Sequence, residues 1–141
     1  MFNKIRLVAL DVDGVLTDGT VLVLENGLQA RRMSVRDGYA LQLAVKKGLQ
    51  IMVISGAVSE PVRDRLSKLG IADVFMGVRD KWTLLSQQIK ERGMQADEVL
   101  FMGDDIPDLE VMKKCGTGCL SCRCCGRNKI HFCIYFKYKR R

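Results

Sequence analysis

At 141 residues the chain fits one domain, large enough for a hydrophobic core but small for an enzyme with an added lid domain. No run of about eighteen apolar residues exists, which excludes a membrane-spanning helix. The net charge of +7 belongs to the end of the chain: all 16 Asp+Glu lie before Cys115, where basic residues balance them. From Cys115 to Arg141 come Arg123, Arg127, Lys129, Lys137, Lys139, Arg140 and Arg141, no acid, all six cysteines and the sole histidine, His131.

Ile5–Leu10 is a near-continuous apolar run that ends on Asp11, the pattern of a strand buried on both faces rather than of a secretory signal. A cytoplasmic protein is expected. Thr20–Leu24 and Leu28–Met33 flank Glu25-Asn26-Gly27, which predicts a β-hairpin over about 20–33, because Asn and Gly tolerate positive φ. Apolar positions in Asp37–Lys47 followed by Gly48 predict a helix with a glycine stop. Gln50–Ile54 reads as a second buried strand ending in Ser55-Gly56. Ser59–Leu69 reads as a helix capped by Ser59, with Pro61 in its first turn. A short strand at Val74–Met76, a helix over Lys81–Glu91, a strand over Val99–Met102 and a helix over Pro107–Lys114 complete the alternation. Such alternation predicts an α/β fold: a three-layer, Rossmann-like parallel sheet with the hairpin inserted after strand 1 and no cap domain.

In such sheets ligands gather at the carboxyl ends of the strands. Four of those ends carry polar groups here: Asp11-Val12-Asp13-Gly14, Ser55-Gly56, Lys81, and Gly103-Asp104-Asp105-Ile106-Pro107-Asp108. Clustered carboxylates repel unless a cation sits among them, and hard oxygen donors with incomplete coordination suit Mg²⁺. Ser55, Gly56 and Lys81 add a hydroxyl, backbone amides and a fixed charge suited to phosphate. Each piece alone has a plainer reading: a DxDG surface turn, a capped helix start, a solvated lysine. Their order at successive strand ends is what favours a site.

DVDGVLTDG, Ser55-Gly56, Lys81 and GDDIPD, in that order, resemble the four motifs of the haloacid dehalogenase phosphatases. The hairpin around Asn26-Gly27, the stretch Val35 to Tyr39 and the stretch Phe75 to Lys81 resemble the lidless 3-deoxy-D-manno-octulosonate 8-phosphate phosphatases of lipopolysaccharide biosynthesis. The resemblance spans about residues 5–118. It implies that Asp11 attacks phosphorus to form an aspartyl-phosphate, and that Asp13 protonates the leaving sugar oxygen and then activates water. Asp11, Asp104 and the backbone carbonyl of Asp13 would hold Mg²⁺. Ser55, Gly56 and Lys81 would bind the phosphoryl group, and Asp105 and Asp108 would orient Lys81 or metal-bound water. Arg36 and Gly38 are the candidate contacts to the sugar acid. A homotetramer built by the hairpin, a small-molecule sugar phosphate as substrate, no membrane and no nucleic-acid partner are also implied.

One departure concerns the substrate. Eight-carbon-specific members of the family commonly have Arg after the Ser/Thr-Gly pair, and here Ala57 stands there. Arg36 and Arg63 are the substitutes weighed for that charge. A nine-carbon substrate, 2-keto-3-deoxynononate 9-phosphate or acylneuraminate 9-phosphate, is the alternative, while Arg36-Asp37-Gly38 favours the eight-carbon one. A non-catalytic relative with a basic, RNA-binding tail is the alternative of a different class.

Residues 119–141 depart from the family altogether. Their cysteine spacing lacks paired C-x2-C knuckles for zinc, and disulfides are not expected in the cytosol. Leu120 to Arg141 can be written in codons whose neighbouring frame gives, after one Cys, Pro-Ala-Asp-Ala-Val-Glu-Glu-Ile-Lys and a further strand-like segment ending in Gly. That reading resembles the family's C-terminal region. The tail is therefore read as a frameshift product starting near Thr117–Leu120, with poor order, lower stability and impaired turnover expected.

Overall fold

The computed structural model describes residues 2–122 and 131–135. Six strands form one sheet in the order β5-β4-β1-β6-β7-β8, comprising β1 (Leu7–Leu10), β4 (Gln50–Ile54), β5 (Asp73–Phe75), β6 (Val99–Gly103), β7 (Thr117–Cys122) and β8 (His131–Tyr135). All neighbours are parallel except β7 and β8. β1 is central, with Leu10 beside Val53 on one side and Met102 on the other. The residues that follow β1 and β6 therefore emerge together.

Side chains alternate across a strand, so each strand feeds two cores. Leu7, Ala9, Met52, Ile54, Val99 and Phe101 pack with Leu85 and Ile89 of α3 (Lys81–Glu91) and Val111 of α4 (Leu109–Lys114). Leu10, Ile51 and Val53 face the other way, onto Val62 and Leu66 of α2 (Glu60–Lys68) and the partly buried Leu41, Ala44 and Val45 of α1 (Val35–Lys46). These two layers of helices around the sheet confirm the expected α/β architecture. Between β1 and α1 the chain forms only the hairpin β2 (Leu22–Val23) and β3 (Gln29–Ala30), plus an antiparallel bridge from Thr17 to Met33.

The hairpin is shorter in its pairing than the sequence predicts. Its turn closes with Leu24 N–H donating to the Leu28 carbonyl at 2.9 Å, and Gly27 takes the left-handed region at φ +80°. α1 starts two residues earlier than expected because the Ser34 hydroxyl accepts from the Asp37 amide at 3.2 Å. Ser59 precedes α2 as expected but makes no capping bond with its side chain. The last predicted helix begins as a 3-10 turn at Ile106–Asp108 before α4. Within the tail, residues 119–122 and 131–135 take strand geometry, and the remaining tail residues lie outside the described ones.

Candidate active site

The first loop of the site is wound by its own backbone. Val15, Leu16 and Thr17 all donate to the Val12 carbonyl, and the Thr17 hydroxyl accepts from the amides of Gly14 and Gly19. Gly14 sits at φ +80°, and a Cβ there would collide with the Asp104 carboxylate. The loop after β1 thus lies directly against the loop after β6, and only glycine permits that approach.

Asp11 is nearly buried, with one carboxylate oxygen accepting from the Val12 amide at 2.7 Å. Lys81 Nζ lies 2.9 Å from the other oxygen and 2.7 Å from Asp108 Oδ1. Asp108 Oδ2 accepts from the Asp104 amide at 3.2 Å. Asp108 is wholly buried, and an ammonium and an amide satisfy its carboxylate oxygens. The position of Lys81 is fixed by the start of α3, whose Asp80 cap accepts from the Thr83 amide at 2.9 Å.

Titration behaviour follows from this packing. Burial pushes the Asp11 carboxyl up to about 6, against the lowering pull of Lys81. Asp104 is raised as well, by burial and then by the charges of Asp108 and Asp105. For Lys81, burial favours the neutral amine, but hydrogen bonds and charge from Asp108 and Asp11 outweigh it and raise its pKa. The site thus holds more negative charge than one ammonium relieves.

Ser55, also buried, is clamped between loops: its amide donates to Phe75 O and its carbonyl accepts from Val78 N–H, both at 2.9 Å. Gly77 N–H donates to Ala57 O at 3.1 Å, so the two loops run locked together. Asp11, Asp13, Ser55, Gly56, Lys81, Asp104, Asp105 and Asp108 all line one cleft of about 540 Å³. Oxygens of Asp11, Asp104 and Asp108 lie within 4.8 Å of one another, and this hard, acidic donor set fits a cation such as Mg²⁺. Asp108 is wholly buried with both oxygens held by Lys81 and the Asp104 amide, whereas Asp11 and Asp104 line the cleft with more exposure, so these two are the carboxylates better placed for it.

Not every expected residue arrives. Of the two supporting acids only Asp108 reaches Lys81, while the Asp105 carboxylate accepts from the Ile106 amide at 2.7 Å and caps the 3-10 turn. Arg36 is exposed in the first turn of α1, and Gly38 is buried against Arg65 of α2 and Leu69 at its end, a packing position. Neither lines the cleft, and Arg63 pairs with Glu60 at 3.6 Å. Two cations escaped the sequence reading. Arg79 lines the cleft beside Ala57 and makes no side-chain hydrogen bond or ion pair among the described residues; its place two residues before Lys81 was the available signal. Arg31, from the hairpin, places Nε 2.7 Å from Asp13 Oδ1, and nothing local in the sequence marks that pairing.

No family model matches the chain. It is 36% identical over 114 residues to the 3-deoxy-D-manno-octulosonate 8-phosphate phosphatases of Salmonella typhi and Escherichia coli K12, covering 81% of this chain and 61% of theirs. The chain thus spans about three fifths of the length of these curated relatives. The cobalt-bound phosphatase of the same kind from Haemophilus influenzae superposes with a TM-score of 0.77 at 36% identity, covering 83% of this chain and 68% of that one. The Moraxella catarrhalis enzyme, solved with magnesium, phosphate and the sugar acid, gives 0.78 at 34% identity, covering 82% and 66%.

Proposed function

The chain belongs to the family of 3-deoxy-D-manno-octulosonate 8-phosphate phosphatases in the haloacid dehalogenase superfamily, and on that premise we propose that it is a Mg²⁺-dependent phosphatase of sugar-acid phosphates. The observation that carries the proposal is the Asp11–Lys81–Asp108 cluster at the carboxyl ends of β1 and β6, set beside the clamped Ser55.

Asp11 attacks phosphorus and the sugar alkoxide leaves, taking its proton from Asp13; the resulting aspartyl-phosphate is then cleaved by a water that Asp13 deprotonates. Ser55, the Gly56 amide and Lys81 hold the phosphoryl oxygens. Lys81 also keeps Asp11 ionised, while Asp108 fixes Lys81. Asp11, Asp104 and the backbone carbonyl of Asp13 would hold Mg²⁺, which offsets charge between carboxylate and phosphate.

3-Deoxy-D-manno-octulosonate 8-phosphate is the leading substrate, with Arg79 as the cation available to its carboxylate in a cleft where Ala57 supplies none. Ala57 in the wall is also the observation that favours a nine-carbon 9-phosphate as second reading. Phosphate release from a panel of sugar phosphates with Mg²⁺ and with chelator tests both. Turnover of the eight-carbon acid first is expected, and no turnover of any sugar-acid phosphate overturns the proposal.

The hairpin leaves Leu22, Val23 and Leu28 about two-thirds exposed, which supports a homotetramer assembled through it. No described helix is long and apolar enough to cross a membrane. Residues 1–118 form the catalytic unit of this reading and 119–141 its frameshifted tail; an intact single reading frame across codons 115–141 would refute the latter.

A further inference from the structure

Asp13 is the only carboxylate in the cleft that is held by a residue of the hairpin among the described residues. Arg31 lies one residue beyond β3, eighteen positions along the chain from Asp13. Its side chain is only 7% exposed although the hairpin strands themselves lie open to solvent. Burying a guanidinium costs desolvation that a surface ion pair would avoid, so this placement is specific to its partner. The Thr17–Met33 bridge pins the base of the hairpin to the far end of the Asp13 loop, and so fixes where Arg31 leaves the backbone.

The contact is unequal. Nε donates to Oδ1 at 2.7 Å, a short charge-assisted bond, whereas Nη2 reaches Oδ2 at 3.4 Å, a long one. One oxygen is anchored and the other retains capacity to carry a proton. Lys81 cannot serve instead, because Asp11 and Asp108 occupy it.

We propose that Arg31 is a positioning residue that aims the Asp13 carboxyl at the leaving oxygen, so that the hairpin sets the acid/base step. The inference rests on the phosphatase reading of Asp13 given above. Its chemistry makes a selective demand. An alkoxide leaving group needs a proton, whereas 4-nitrophenolate leaves without one. Loss of positioning therefore costs alkyl phosphates more than aryl phosphates in the transfer step, whereas water activation by Asp13 is common to both.

The test compares the parent, Arg31→Ala, Arg31→Lys, Asp13→Asn and the double variant Arg31→Ala/Asp13→Asn, on a sugar phosphate and on 4-nitrophenyl phosphate, with thermal unfolding as a check on folding. Arg31→Ala should lower kcat/KM, which reads the steps up to departure of the leaving group, about tenfold more on the sugar phosphate than on the aryl phosphate, with Arg31→Lys partly restoring it. In the Asp13→Asn background, Arg31→Ala should add less than about twofold, because both act on one step. Equal losses of kcat/KM on both substrates, or effects that multiply in the double variant, overturn the proposal. A parent inert on every phosphate overturns the phosphatase reading, and the inference with it.

Discussion

At the rim of the sheet Asp108 is completely buried and Asp11 and Lys81 nearly so, while in the hairpin Leu22 and Val23 stand 63% and 69% exposed. Charges lie inside and apolar groups outside, the reverse of what folding alone favours. Both arrangements cost stability in the lone chain. On the proposed function something from outside would complete each: a cation and a phosphate at the rim, a second copy of the chain at the hairpin.

The widest separation between the two regions is expected for Asp11→Asn. It should lower phosphatase activity by roughly ten-thousandfold, measured as phosphate release with Mg²⁺. Stability should move the other way. The folded chain holds the Asp11 proton up to about 6 against an ordinary 3.8, so more protons are bound folded than unfolded between those values. That group's contribution therefore turns increasingly unfavourable as pH rises from about 4 to 6. Metal-free Asp11→Asn should be more stable than the parent above pH 6, with the advantage vanishing toward pH 4. A variant less stable at pH 7.5 than at pH 5, relative to the parent, would break the account of the rim as a strained site.

Lys81→Met should cost about 3 kcal/mol in urea unfolding at pH 7, since it leaves Asp11 and Asp108 buried without their cation. Added Mg²⁺ should recover part of that loss. At the cleft mouth the effect should be smaller and confined to binding: Arg79→Ala should raise KM about tenfold for a sugar-acid phosphate and leave a neutral sugar phosphate unchanged, as expected for one lost charge-assisted contact. The smallest change in monomer stability, within about 0.5 kcal/mol, belongs to Leu22→Glu on the hairpin. Sedimentation should nonetheless show it shifting the protein toward monomers; an unchanged assembly would remove the hairpin from the interface.

Much of the rim was legible because its signals are local. Asp11, Ser55 and Asp104 each end a short apolar run, and Lys81 opens a capped helix, so a periodicity break marks every one. The residues that sequence reasoning assigned to the sugar, Arg36 and Gly38, lie on α1 and do not line the cleft, and Gly38 is where α1 meets Arg65 and Leu69. A helix start and a packing glycine share the same sequence pattern with a ligand contact, and only the neighbouring helix distinguishes them. Asp105 and Asp108 read alike in the chain, yet one caps a turn and the other holds Lys81, because the second lies where α3 comes alongside.

By itself, the sequence determined the alternation of buried strands and helices, and hence the parallel class of the sheet and the edge at which polar side chains collect. It also determined which residue types stand there, since these depend on periods of two and 3.6 residues and on adjacent turn chemistry. The tertiary structure alone decided the strand order that sets β1 between β4 and β6, the burial that raises Asp11, and the meeting of Asp13 with Arg31 across eighteen residues. Pairings of that range depend on how whole elements pack, and no local pattern encodes them.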